Sequence, residues 1–164
     1  MFREMRRKKQ KLTEKQCLDI LRRAKTATLA LSGDDGYPYS VPINFVYEDG
    51  KIYFHGAKEG HKIDAIKNNP KVSMSIIDQE DVIEEELTTY FRSVILFGKA
   101  RILQEDDEIY HAIETLGLKY NEDEVAVEKE IQREWKALCC IEITIEYLTG
   151  KQAIELVNKN YQDF

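Results

Sequence analysis

The order of elements in this sequence predicts a mainly β fold, an antiparallel barrel with flanking helices. About six strand-like segments follow one another, mostly through tight turns, whereas a doubly wound parallel sheet would need a helix after each strand. The helical segments gather at the ends and in the crossovers. The 164 residues, 43% hydrophobic and 33% charged, suffice for one buried core, so the expectation is a single domain over 1–164. With 10% aromatic residues, 8 glycines and 3 prolines, the composition excludes a disordered or fibrous chain.

Thr13 with Gln16 forms a capping-box pattern, and Ile20 and Leu21 continue it as an apolar face, so a first helix of about three turns runs to Ala24. The apolar period then changes to two, predicting a strand over 26–31, a turn at 33–36 and a second strand over 37–47. Glu48-Asp49-Gly50 turns the chain into a third strand over 51–55. A short helix follows, stopped by Asn68-Asn69-Pro70, and 72–77 is the fourth strand. The stretch 78–86 holds Asp78, Glu80, Asp81, Glu84, Glu85 and Glu86 with no base, and is expected to be a solvated loop. A long strand over 91–103 carries Val94-Ile95-Leu96-Phe97 before Gly98. Helices over 106–120 and 124–136 precede a last strand over 137–148, with Ile141, Ile143 and Ile145 on one face and Glu142, Thr144 and Glu146 on the other.

Charge and cysteine usage narrow the function classes. No apolar run approaches the ~18 residues of a membrane helix, and the basic N-terminus has no apolar stretch behind it, so neither a membrane span nor a secretory signal is expected. The default location is the cytoplasm. Three cysteines, two of them adjacent as Cys139 and Cys140, fit no disulfide framework and no metal-ligand spacing, so no metal site is expected. The net charge is −6, and the arm over 1–11 is strongly basic, so the remaining body is more acidic still. An acidic body is a poor nucleic-acid surface. The arm is expected to be flexible and to dock on an acidic neighbour, such as the 78–86 stretch of a second subunit.

Two stretches carry chemistry. In Phe54-His55-Gly56-Ala57-Lys58-Glu59-Gly60-His61-Lys62 a strand ends and a helix begins. The glycines permit close backbone approach, the first-turn N–H groups have no intrahelical acceptors, and His61 and Lys62 add donors. These features describe a phosphate site, though they also suit a simple turn with a solvated lysine; neither a P-loop nor a dinucleotide fingerprint is present. The second stretch holds Pro38 and Pro42. Proline cannot donate to a ladder, so this strand is an edge or is bulged, which leaves backbone groups near Val41-Pro42-Ile43-Asn44 available either to solvent or to a ligand with its own donor and acceptor edge.

These stretches resemble a known family. Pro38-Tyr39-Ser40-Val41-Pro42-Ile43-Asn44, Ile52-Tyr53-Phe54-His55-Gly56 and Gly60-His61-Lys62, with Asp64 and Asn69-Pro70, are similar to the FMN-binding split β-barrels of the pyridoxamine 5′-phosphate oxidase superfamily. The nitroimidazole-resistance (Nim) branch is the nearest in pattern, through Arg6-Arg7-Lys8 and the strand Ser93-Val94-Ile95-Leu96-Phe97-Gly98. The resemblance covers most of 5–104 and is supplemented by Thr149-Gly150-Lys151. It implies FMN as cofactor, with Val41, Pro42, Ile43 and Asn44 along the edge of the isoalloxazine ring, Phe54 and His55 near the ribityl chain or ring, and Gly60, His61 and Lys62 at the phosphate. Ser93 would reach the flavin of a neighbouring subunit, which implies a homodimer with shared sites. The pattern departs from the oxidases proper at Tyr39, Asn44 and His61, where they carry arginine or lysine, and their C-terminal arginine and tryptophan signature is not apparent. These departures point away from vitamin B6 oxidation and leave FMN binding in place.

The remaining residues divide between site and scaffold. His55 is a candidate proton donor over the flavin, or a hydrogen-bonded histidine of the barrel rim. His111 reads as surface or interface. Cys139 and Cys140 point to opposite sides of their strand, so at most one is expected in the core, and Trp135 reads as a core or dimer anchor. The resulting expectation is an FMN-dependent oxidoreductase acting on a small organic substrate such as a nitro compound. The alternative is a non-catalytic binder of flavin or haem on the same fold.

Overall fold

A computed structural model describes residues 1–158; the expectation of one domain over 1–164 extends past them. In order, the elements are α1 (Glu14–Arg23), β1 (Thr26–Ser32), β2 (Pro38–Asn44), β3 (Val46–Glu48), β4 (Lys51–Gly56), α2 (His61–Asn68), β5 (Lys71–Ile83), β6 (Thr88–Ile102), α3 (Asp106–Tyr120), α4 (Glu124–Glu134), β7 (Cys139–Gln152) and α5 (Ile154–Asn158). The seven strands form one antiparallel sheet in the order β2-β1-β5-β6-β7-β4-β3. This is a split β-barrel with flanking helices, the architecture expected from the order of elements.

The segment over 37–47, read as one strand, is two. β2 pairs only with β1, matching Pro42 to Thr28, and β3 pairs only with β4, matching Val46 to Tyr53. These edges lie at opposite ends of the strand order yet are separated by Phe45 alone, so the sheet must roll up until its ends meet there. Phe45 is fully buried. Its backbone partners come from the end of α3: its N–H donates to the Tyr120 hydroxyl at 3.1 Å, and its carbonyl accepts from Lys119 Nζ at 2.8 Å. Lys119 Nζ also donates to the Ala24 carbonyl at 2.5 Å and lies 4.1 Å from the Phe45 ring centroid, while the Tyr120 hydroxyl donates to the Lys25 carbonyl. A single lysine-tyrosine pair thus ties α3 to both sides of the seam.

The barrel interior is filled by alternate residues of the strands, among them Leu29, Ile52, Phe54, Met74, Leu96 and Ile143, and is covered by Ile20 and Leu21 of α1 and Ile63 and Ile66 of α2. The capping box at Thr13 is present, with Thr13 Oγ1 accepting from the Gln16 N–H and Gln16 Oε1 accepting from the Thr13 N–H. A second apolar cluster lies outside the barrel, where Ala112, Ile113 and Leu116 of α3 and Val127 and Ile131 of α4 pack on Tyr53 and Cys140. β7 is therefore covered on both faces, and Cys139 and Cys140 are both buried in different clusters. The expectation that at most one would be buried fails because the helical hairpin supplies a second core. Trp135 packs against this second cluster.

Two further expectations are corrected. The acidic stretch is not a loop: β5 continues to Ile83, pairs with the start of β6 through Ile83 and Thr88, and turns through the 3-10 segment Glu84–Glu86. One face of this two-stranded arm packs Ile83, Tyr90 and Phe91 on Ala153 and Leu156, Glu80 and Asp81 are exposed, and Asp78 is held by the Arg23 guanidinium at 2.7 and 2.6 Å. The basic arm is not free either. Its Gln10 amide donates to the Gln152 carbonyl at 3.0 Å, its Phe2 stacks on Tyr147 with centroids 5.0 Å apart, and the Leu12 N–H just after it donates to the Gly150 carbonyl at 2.9 Å. Gly150 is required there, because a Cβ would stand 2.5 Å from Cys17 Sγ and 2.9 Å from Leu12 Cδ1.

The seam makes a titration prediction. Burial lowers the Lys119 ammonium to about 8, well under the ordinary lysine value of about 10.4. In the window between those values the unfolded chain holds a proton that the folded chain has released, so raising the pH stabilises the fold. In urea unfolding at stepped pH, wild type should gain stability relative to Lys119→Met as pH rises through that window. Parallel curves would contradict the assignment.

Candidate functional site

The split has two walls. One is the free edge of β2, exposed at Pro42 and Asn44 and half-buried at Val41. The other is the end of β4 and the loop into α2. Continuing the β3–β4 register by two steps would set Asn44 opposite His55, but the ladder ends at Val46. Both residues instead line one cleft of about 830 Å3, roofed by the α3–α4 hairpin. Its walls are mainly apolar, including Ile113, Leu116, Ile131 and Leu138, and its rim carries Glu130, Glu134 and Tyr120. Gly117 lets the hairpin close, since a Cβ there would stand 2.7 Å from Val127 Cγ1.

The α2 end of the split is cationic and open. Gly60 has φ +129, a conformation that favours glycine, and no side chain caps the helix that starts at His61. First-turn N–H groups at such an end have no intrahelical acceptor. The Lys62 side chain crosses Gly56, whose Cβ would stand 3.4 Å from Nζ, and Nζ lies 5.6 Å from the Phe54 ring centroid. The His61 ring stacks on Tyr39 of β2 at 4.1 Å between centroids, and His61 Nε2 lies 3.7 Å from Asp34 Oδ2. Tyr39 and His61 therefore tie the two walls together at this end.

His55 sits where these regions meet. Its side chain is open to the cleft mouth, yet surrounding protein lowers its pKa; burial is the main cause, followed by the Lys62 charge, with Glu134 pulling weakly the other way. The imidazole is thus held neutral at pH 7.

Of the ten residues singled out in the sequence, Asn44 and His55 meet in the cleft, and Gly60, His61 and Lys62 cluster at the start of α2. Val41 and Pro42 lie on the free edge. The side chains of Ile43 and Phe54 point into the barrel core, which leaves only their backbones for a ligand. Ser93 is apart from the others. It pairs with Ile77 and Lys151 on the central strands, and β5 and β1 separate it from β2. Tyr120 and the α3–α4 roof lie outside the stretches that carried the sequence expectation. Tyr39, which there marks a departure from the oxidases, gains His61 as a stacking partner only through the fold. His111, read as surface or interface, pairs with Glu48 at 2.5 Å outside the cleft.

Among the described residues, no three His, Cys, Asp or Glu side chains gather into a metal-binding group, and no helix is long and apolar enough to cross a membrane.

An antiparallel split barrel with a cationic glycine-hinged helix start beside a free strand edge is the class of fold and site seen here. The chain matches the family described as Pyridoxamine 5′-phosphate oxidase over residues 13–152 and belongs to it. It is 28% identical over 100 residues to the uncharacterized protein RA0666 of Rhizobium meliloti (strain 1021), a match that spans 61% of either chain. Among solved structures it is similar to a candidate 5-nitroimidazole antibiotic resistance protein of Bacteroides thetaiotaomicron VPI-5482, at 22% identity and TM-score 0.72, covering 87% of this chain and 86% of the other. It is also similar to an FAD and haem binding protein of Mycobacterium smegmatis, at 20% identity and TM-score 0.73, covering 89% and 74%.

Proposed function

We propose that this protein is a flavin-dependent oxidoreductase that acts on a small organic substrate, such as a nitro compound, and works as a homodimer. The observation that carries the reading is the split itself: the free edge of β2 lies beside the helix start with Gly60, His61 and Lys62, joined to it by the Tyr39–His61 stack at 4.1 Å. The residues fit the mononucleotide unit of a flavin, and FMN is the simplest ligand of that form. Val41 to Asn44 would meet the ring edge through their backbone, and Lys62 with the α2 N–H groups would hold the phosphate. Bound flavin would supply the electron transfer, while the chain orients the ring and controls access.

The cleft under α3–α4 suits the substrate. Its volume is in the range of small-molecule sites, and its apolar walls would exclude water. His55 and Asn44 stand at its mouth, where the neutral imidazole can donate its one ring N–H in a hydrogen bond to a substrate oxygen. The glutamates of the rim disfavour anionic substrates, consistent with the absence of the pyridoxamine phosphate signature. The dimer is supported by the outer sheet face, where Ile77 is 60% and Ile95 42% exposed on strands that also carry Ser93. Within one chain Ser93 is remote from the split, so a role at the flavin requires a second copy.

Three outcomes test this reading. Lys62→Ala should weaken FMN binding by roughly 1.5 to 3 kcal/mol, the scale of a charge-assisted hydrogen bond; equal dissociation constants would remove the phosphate assignment. If the site is shared, mixing Lys62→Ala with Ser93→Trp chains should restore one intact site per heterodimer, and a mixture binding no more FMN than either parent would mean that each chain holds its own flavin. His55→Asn should leave FMN affinity unchanged and slow reoxidation of the reduced protein by nitroaromatics by ~10²-fold, the scale of one positioned hydrogen-bond donor lost from a site. Identical rates and pH profiles would leave His55 as a rim residue.

A further inference from the structure

The cleft under the α3–α4 hairpin carries a charge pattern of its own. Among the described residues that line it are two carboxylates, Glu130 and Glu134, and no lysine or arginine. The two are four positions apart on α4, so they stand one turn apart on the same face of the helix. The chain turns tightly after Glu134, the Ala137 N–H donating to the Glu134 carbonyl at 2.9 Å, and then enters β7, where Cys139 pairs with Gly56 and Cys140 with His55. Turn and ladder together set the Glu134 end of α4 beside the His55 end of β4. His55 and Asn44 therefore mark one wall of the mouth, and the two glutamates mark the other.

Both carboxylates share a single cation. Arg133 Nε donates to Glu134 Oε1 at 3.0 Å, and the Arg133 terminal nitrogen donates to Glu130 Oε1. Arg133 is exposed and does not line the cleft, so two negative charges are set against one positive charge and the mouth stays negative. Arg133 bonds only one oxygen of each carboxylate, which leaves the second oxygen of each able to accept from a ligand. Between the walls the lining is apolar, with Ile113 and Leu116 of α3, Ile131 of α4 and Leu138. A flat apolar body gains by leaving water there. An acid would meet two carboxylates and no balancing cation, whereas an ammonium group would gain a charge-assisted hydrogen bond.

We propose that the substrate of this cleft is an aromatic molecule bearing a protonated amino group, and that Glu130 and Glu134 select it by accepting hydrogen bonds from that group. The proposal rests on the flavin reading above for the reaction and names the class of substrate that the same site takes. The ring would lie between Leu116 and Ile131, with its oxygen acceptor towards His55 and its ammonium group towards α4.

The test is calorimetric titration of the full chain, with FMN and without it, using three probes of one shape that differ in charge: 2-naphthylmethylamine, 2-naphthylmethanol and 2-naphthoate. Wild type is compared with the double variant Glu130→Gln, Glu134→Gln and with Arg133→Gln; all three positions are exposed, so the core is left intact. In wild type the amine should bind about tenfold more tightly than the alcohol, the low end for a charge-assisted hydrogen bond because both carboxylates are open to solvent, and the naphthoate should bind most weakly. The double variant should bring amine and alcohol together, whereas Arg133→Gln, which frees both carboxylates, should widen the gap. A general disturbance of α4 would not move the two variants in opposite directions. Equal wild-type affinities for amine and alcohol, binding of none of the probes, an amine preference that survives in the double variant, or an unchanged gap in Arg133→Gln would overturn the proposal. FMN that fails to bind while the amine preference persists would overturn the flavin reading and leave the charge selection of the cleft in place.

Discussion

Strands β2 and β3 are one residue apart in sequence and occupy opposite edges of the sheet, so Phe45 must carry the backbone from one edge to the other without a ladder to hold it. A buried backbone amide without a partner is costly, and strand pairing cannot supply partners on both sides of the break. Lys119 and Tyr120 do so from outside the sheet. They bond the Phe45 amide and carbonyl, and they reach the Ala24 and Lys25 carbonyls just before β1. The same contacts fix the C-terminal end of α3 against the barrel, and this sets the roof of the cleft. Cleft, free strand edge and helix hairpin are consequences of one unclosed seam.

Charge is distributed in keeping with that geometry. The carboxylate buried on the outer face of β7, Glu142, is balanced by Lys51 at 2.9 Å and Arg101 at 3.1 Å, which hold its carboxyl below the ordinary range against the opposing effect of burial. That network fastens β4, β6 and β7 together, and Arg101 carries it on to Glu108 of α3 at 2.8 Å. At the split, Lys62 has no carboxylate within ion-pair distance among the described residues, and the His55 pKa is lowered by burial and by Lys62. Paired charge serves the scaffold, and unpaired charge faces the space where a ligand would sit.

Much of this was legible because local rules coincide with the tertiary result. The capping box at Thr13, the turns at Gly33–Gly36 and Gly50, the strand alternation of β7 and the prolines of β2 each state their own conformation. The barrel followed from the order of such segments. What was hidden depended on pairing across distance. The 78–86 stretch has the composition of a loop, and only its ladder with 88–92 makes it strand. Cys140 is buried because α3 and α4 cover a face that the pattern of β7 alone leaves unassigned. Lys119 and Tyr120 look like an ordinary helix end, since nothing near them in sequence indicates that Phe45 lies beside them. The Gly60-His61-Lys62 helix start was readable as a local motif, whereas the cleft, built from four separate elements, was not.

The central claim is that the split holds a flavin ring against the free edge of β2, and visible absorbance of the purified protein before and after addition of FMN tests it most directly. The account predicts the resolved flavin bands of a ring transferred from water into an ordered site, retained through desalting. A colourless protein that returns all added FMN on desalting, or a red one with a Soret band that FMN does not displace, would contradict it.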